Sequence, residues 1–258
     1  LTDFQRRKRG PRIVAIGDIH GHLDKLQAAH ALIAADRARY GTDAPIVHVG
    51  DLIDRGPDCR GVVEYLMQGQ AEGEPWVVLK GNHDRMLTGF LRDPGYHDPG
   101  VRPDLHWFDP RLGGLATLAS YGVEAALGGD LAVIHAQAVA AVPRAHVAFI
   151  DALPLYHLRG EALFVHAGIR PGVDLRDQVE EDLVWIRKVF LDDTRDHGAL
   201  VVHGHTAIDR ATHYGNRLNI DSSVAYGGHL SAVLIDGRDA WLLAEDGRVP
   251  LPVTALAA

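Results

Sequence analysis

RIVAIGDIHG (residues 12–21), PIVHVGDLIDRG (45–56) and EPWVVLKGNHD (74–84) repeat one arrangement: a short apolar run, then glycine, then a side chain able to bind a cation. An apolar, β-branched run of this length, bounded by turn residues, reads as a buried strand. Between the runs, Leu23, Leu26, Ala29, His30 and Ile33 fall at helical spacing, and residues 61–69 carry a second helical pattern. Strand–helix–strand–helix–strand predicts parallel pairing with helices on the faces. The polar residues then lie at the carboxyl ends of the strands, where open α/β sheets hold their ligands.

The arrangement returns in ALFVHAG (162–168) and ALVVHGHT (199–206). A helix is expected over 180–190. RATHYG, NRLNID, LSAVLID and DAWLLA read as strands, so the second half is strand-rich with an antiparallel edge. Residues 92–159 differ: they hold PGYHDPG, RPDLHWFDP and a Gly-Gly pair, then helical patterns over 112–121 and 135–150. They are expected to form a capping insertion within one domain spanning 12–258. Trp107 and Phe108 are expected in its packing, and residues 36–39 as a solvated helix end. Residues 1–11 are a basic tail without the apolar stretch of a secretory leader.

The 258 residues are 47% hydrophobic, enough for a sizeable core. No apolar run reaches the length of a membrane span, so no membrane partner is expected. A formal net charge of −8 argues against a nucleic-acid surface and leaves positive charge to metals and a few arginines. The single cysteine, Cys59, excludes an internal disulfide and fits a reducing compartment, so a cytoplasmic location is expected, with a monomer as the default state. It follows an Arg-Gly-Pro turn and reads as a helix start. Sixteen histidines hint at metal.

Asp18 and His20 stand two apart in an extended segment, so both side chains reach the same side. Asp51 holds the corresponding place after the second strand, and its two oxygens suit it to bridge two ions. Asn82 offers a carbonyl oxygen, and His83 beside it points past the ions. Singly, each has a plain explanation: a chance D-x-H, a helix N-cap in GNHD, a packed histidine at His166 or His205. Five strand ends equipped in the same way are not explained so. Asp18, His20 and Asp51 make one half-site; Asp51, Asn82, His166 and His205 make the other. Mixed oxygen and nitrogen ligation suits two divalent ions such as Mn, with Fe, Zn or Co compatible, better than Mg or Ca. His203 is expected beside the ligands rather than among them.

The set GDIHG, GDLIDRG, GNHD, VHAG and HGHT resembles the calcineurin-like metallophosphoesterase superfamily, and more closely its phosphoprotein phosphatase family in the small bacterial and phage form. The resemblance implies a four-layer α/β/β/α sandwich in the α/β class. It implies hydrolysis of a phosphomonoester by a hydroxide bridging two metal ions. His83 matches the general acid, Asp54 the carboxylate that orients it, and Arg55 and Arg187 the arginines that bind phosphate. It implies a serine/threonine, or tyrosine, protein phosphatase acting on phosphoprotein or small phosphoesters. Asp54 weighs against the related dinucleoside polyphosphate hydrolases, whose corresponding segment typically lacks it. A non-catalytic metal-binding module is a further alternative, although no ligand is missing. Ser223 departs from the glycine usual in the family's Asp-Thr-Gly segment.

Overall fold

The computed structural model describes residues 11–254, so the expected basic tail lies, apart from Pro11, outside the described residues. Strands β1 (Ile13–Ile16), β2 (Ile46–His48) and β3 (Trp76–Val78) pair in parallel, joined through helices α1 (Leu23–Tyr40) and α2 (Cys59–Ala71). The far side of β1 takes an antiparallel meander of β9 (Ala232–Asp236), β10 (Asp239–Ala244) and β11 (Gly247–Pro250), giving the order β11-β10-β9-β1-β2-β3. A second sheet runs β4-β5-β6-β8-β7, from β4 (Tyr156–Arg159), β5 (Ala162–Val165), β6 (Leu200–His203), β7 (Thr212–His213) and β8 (Arg217–Asn219). Its inner strands β5, β6 and β8 are parallel.

Side-chain alternation builds the layers. In β1, Ile13 and Ala15 face the second sheet and meet Phe164, Val202 and Leu218. Val14 and Ile16 face the other way, toward Leu26, Ile33, Val62 and Leu66 of α1 and α2. On the second sheet, Leu163, Val165 and Val201 pack outward against Leu183, Ile186 and Phe190. Helices therefore cover both outer faces of two stacked sheets, the expected four-layer sandwich.

Three expectations need correction. The helix over 180–190 is two short ones, α7 (Glu180–Trp185) and α8 (Lys188–Leu191), because Arg187 leaves helical geometry at φ −132°, ψ −100°. The helical pattern over 135–150 is split into α5 (Leu131–Ala141) and α6 (Arg144–Ala152) at Val142-Pro143, since proline cannot donate to the preceding turn. Asp36 is buried, not solvated: it accepts two hydrogen bonds, at 2.7 and 2.8 Å, from Arg248 of β11. In the 92–159 segment, α4 (Gly114–Ser120) packs on α2, and α5 and α6 pack on α3 (Asn82–Arg92). Leu112, Leu118, Ile134 and Ile150 join the core of the first sheet's outer face. Cys59 opens α2 as a buried thiol.

Under α1 lies a polar chain with a direction. Tyr65 OH donates to His30 Nδ1 at 3.0 Å; His30 Nε2 lies 2.9 Å from His48 Nε2; His48 Nδ1 donates to the Val77 carbonyl at 3.3 Å. The chain needs a neutral His48, because a proton on its Nε2 would set N–H against N–H, while a proton on His30 Nδ1 would turn the Tyr65 hydroxyl from donor to acceptor. Burial lowers His48 to about 3 and His30 to about 4, with Arg37 adding to the effect on His30. Both folded values lie below the unfolded value of about 6.5. The stabilisation is therefore complete above pH 6.5 and is lost as pH falls below it, at up to about 1.4 kcal/mol per pH unit for each histidine. Urea unfolding of chelator-treated protein at pH 7.5 and 5.5 should show a shallower pH dependence in His30→Leu/His48→Leu than in the natural sequence; equal slopes would remove this pair as the cause.

Candidate metal centre

Each expected ligand lies one to four residues beyond a strand. Asp18 and His20 follow β1, Asp51 follows β2, Asn82 and His83 open α3 after β3, His166 follows β5 and His205 follows β6. The two sheets thus deliver their strand ends to one edge of the sandwich. The backbone there is strained. His20, Asp51, Asp54, Arg55 and His205 have φ between 45° and 71°, with Ser223 (61°) the remaining non-glycine residue of positive φ among those described. Each such conformation costs on the order of 1 kcal/mol and persists only where surrounding structure enforces it. Glycines allow the crowding: a Cβ on Gly81 would stand 2.2 Å from Asp51 Oδ1, and one on Gly204 1.7 Å from Asp18 Oδ1.

Asp51 is the centre, and it is buried. Its Oδ2 lies 3.5 Å from His20 Nε2 and 3.9 Å from His83 Nε2; its Oδ1 lies 3.3 Å from His166 Nε2 and accepts from the His83 backbone N–H at 3.0 Å. On the second side, His166 Nε2 also stands 2.9 Å from Asn82 Oδ1 and 3.2 Å from His205 Nδ1. Backbone carbonyls fix two of the imidazoles. His20 Nδ1 donates to Ile53 O at 2.9 Å and His166 Nδ1 to Val49 O at 3.0 Å, which leaves each Nε2 facing Asp51. Asp18 is held by the His205 backbone N–H on Oδ2, while its buried Oδ1 has no partner.

The donor set fits two cations. Donor atoms of His20, Asp51 and His83 lie within 4.8 Å of one another, as do those of Asp51, His166 and His205. Asp51 is common to both groups. In the first group His83 stands where Asp18 was expected. His83 is otherwise engaged, its Nδ1 donating to Asp54 Oδ2 at 2.7 Å. Charge balance agrees. Burial works to raise Asp51, but His166, His83 and His20 outweigh it and hold the carboxyl well below the usual carboxylate range. Burial and the charges of Asp221 and Asp51 instead hold Asp18 well above it. Facing Asp51, His166 rises to about 9 against the effect of burial. Acidic groups packed with imidazole nitrogens form a site that a pair of divalent ions would complete.

The sequence profile of the calcineurin-like phosphoesterases matches residues 11–235. The chain belongs to the calcineurin-like phosphoesterase family. It is 22% identical to the asymmetrical bis(5'-nucleosyl)-tetraphosphatase PrpE of Bacillus thuringiensis over 239 residues, covering 84% of this chain and 88% of that one. In fold it is similar to a crystal structure provisionally described as a diadenosine tetraphosphatase (TM-score 0.58, 22% identity, 94% and 95% of the two chains). It is equally similar to the cold-active protein-tyrosine phosphatase of a psychrophilic Shewanella (TM-score 0.58, 16% identity, 94% and 80%).

Beside its metal-capable edge this phosphoesterase opens a cavity of about 250 Å³, lined by His20, Asp51, Arg55, His83, Arg187, His205, Asp221 and Tyr226, among others. Arg55 donates to His20 Nε2 at 2.6 Å and His83 Nε2 at 3.1 Å; Arg187 Nε donates to His205 Nε2 at 2.9 Å. Both arginines therefore reach the site, Arg187 from an exposed position outside both short helices. Lys80 lies outside the cavity, donating to Asp151 O at 3.0 Å. His203 is buried on Phe190 and belongs to neither donor group.

Sequence reasoning missed two partners of Asp54. Trp107 Nε1 donates to Oδ2 at 2.8 Å, and Thr117 Oγ1 to Oδ1 at 2.5 Å. Both come from the 92–159 segment, more than fifty residues away, with no spacing signal to betray them. Asp84 was also missed: it accepts from the Gly81 and Leu52 backbone N–H groups and so ties α3 to the Asp51 loop. Asp51→Asn should leave a folded chain that retains one manganese or none after loading and desalting, against two for the natural sequence, by elemental analysis. Two retained ions would show that Asp51 is not the shared ligand.

Proposed function

We propose that the chain hydrolyses phosphomonoesters whose leaving group is a poor, alkoxide-type oxygen, the chemistry of a serine/threonine protein phosphatase. One observation carries this reading: the buried Asp54–His83 pair, aimed into the cavity and fixed by Trp107 and Thr117. Asp54 accepts from His83 Nδ1, so His83 turns Nε2 toward the cavity. With Nε2 protonated and Arg55 turned from it to the substrate, His83 can give that proton to an oxygen that would otherwise leave as an unstable alkoxide. The three donors on Asp54 hold the imidazole at one angle, so little reorganisation accompanies proton transfer. Arg55 and Arg187 both line the cavity with guanidinium donors that suit the equatorial oxygens of a phosphoryl group. Asp18, His20 and Asp51, with Asn82, His166 and His205, would hold two divalent ions, manganese by preference. When bound, such ions lower the pKa of a shared water toward neutrality and offset phosphoryl charge.

A second reading comes from the relatives. The PrpE likeness spans most of both chains and favours dinucleoside tetraphosphates as substrate. There the leaving group is itself a phosphate, stable as an anion, and gains little from a proton. The Asp54–His83 pair would then be largely idle, which is why the phosphomonoester reading is preferred.

His83→Asn should lower kcat/KM on a phosphoserine peptide by about 10²–10⁴-fold. On p-nitrophenyl phosphate, whose leaving group needs no proton, the same change should cost a few-fold at most. Equal losses on both would take His83 out of the proton-donor role. Diadenosine tetraphosphate turned over tenfold more efficiently than any phosphomonoester, and undiminished in His83→Asn, would hand the function to the second reading.

A further inference from the structure

Asp98, outside the metal centre, is a carboxylate with almost no exposed surface that accepts five hydrogen bonds. Arg85 reaches it with Nε at 2.8 Å and a terminal nitrogen at 2.7 Å; Tyr96 OH donates at 2.9 Å, the Gly100 N–H at 3.0 Å and Trp185 Nε1 at 2.8 Å. With both oxygens fully engaged, it has no alternative arrangement of similar energy. It joins two helices of different sheets, which Arg85 of α3 also links directly through Glu181 of α7 at 3.0 Å. Arg85 stands on α3, two residues after His83; Trp185 ends α7, two residues before Arg187.

The contact continues to the site. The indole of Trp185 lies flat on Gly100, where a Cβ would come within 2.3 Å of the ring, and meets the His205 ring edge-on with centroids 5.5 Å apart. Arg187 is exposed, sits at the break between α7 and α8, and has no carboxylate in ion-pair range among the described residues. Its recorded anchor is the bond from Nε to His205. An arginine so placed owes its aim to the residues before it in the chain. We propose that Asp98 is a positioning residue for phosphate capture: by clamping Trp185 to the His83 helix it sets where Arg187 stands relative to the proton donor. This rests on the reading of Arg187 as a phosphate-binding group.

Competitive inhibition by inorganic phosphate tests both levels in manganese-loaded protein. Arg187→Ala should raise Ki about tenfold or more, the effect of losing one charge-assisted hydrogen bond. Trp185→Phe keeps an aromatic side chain and removes the N–H to Asp98 together with part of the ring surface on Gly100; it and Asp98→Asn should each raise Ki and KM about three- to tenfold, with kcat within twofold and manganese content unchanged. Asp98→Asn added to Arg187→Ala should have no further effect. If Arg187→Ala raises Ki while Trp185→Phe does not, the positioning role falls and the reading of Arg187 stands. Equal effects of Asp98→Asn in both backgrounds would also overturn it, marking a merely structural residue. An unchanged Ki in Arg187→Ala would overturn the parent reading and this one together. Should Asp98→Asn fail to fold, Trp185→Phe decides alone.

Discussion

A buried carboxylate cannot stay ionised without positive partners close by. Asp51 meets that constraint by lying at the line where two sheets abut. Its loop follows a strand of the first sheet, and one of the histidines it faces, His166, follows a strand of the second. The other two, His20 and His83, follow strands of the first sheet. The sandwich therefore has to close in one register, with β1, β2 and β3 ending level with β5 and β6, for the cluster to form at all. The positive-φ backbone at His20, Asp51, Asp54, Arg55 and His205 is the local expense of bringing five strand-end loops to one point. Much of the remaining structure holds that edge in place: Asp84 straps α3 to the Asp51 loop, and the His205 N–H straps Asp18 to β6's end.

The 92–159 segment takes on a different character in this light. Its helices α4, α5 and α6 add to the core over α2 and α3, and its side chains finish the site from behind. Trp107 and Thr117 complete the shell around Asp54; Asp98 reaches across to Trp185. It thus holds Asp54, the partner of His83, and Trp185, two residues before Arg187. That gives a physical route by which changes in a segment remote from the ligands would alter substrate preference in this calcineurin-like phosphoesterase.

The sequence was informative where physics is local. A buried parallel strand must be a short apolar run, and a ligand at its end must be followed by a turn, so Asp18, Asp51, Asn82, His166 and His205 were all marked by their immediate neighbours. The stacking of two sheets into four layers came from the family resemblance and not from the runs themselves. What was not legible depends on contacts between distant segments. Nothing near Trp107 announces a hydrogen bond to Asp54, and nothing near Asp36 announces Arg248. The helix over 180–190 had sound periodicity; the backbone of Arg187 departs from helical values, and its side chain bonds to His205. Ser223 adopts φ 61°, the conformation for which glycine is the easier choice, and its hydroxyl donates to Ile208 O, a compensation visible only in three dimensions.

The account turns on two ions sharing Asp51. Crystals soaked in manganese and measured at the manganese absorption edge should give two anomalous peaks about 3.5–4 Å apart, one on each side of the Asp51 carboxylate. A single peak, or two that do not both border Asp51, would contradict it.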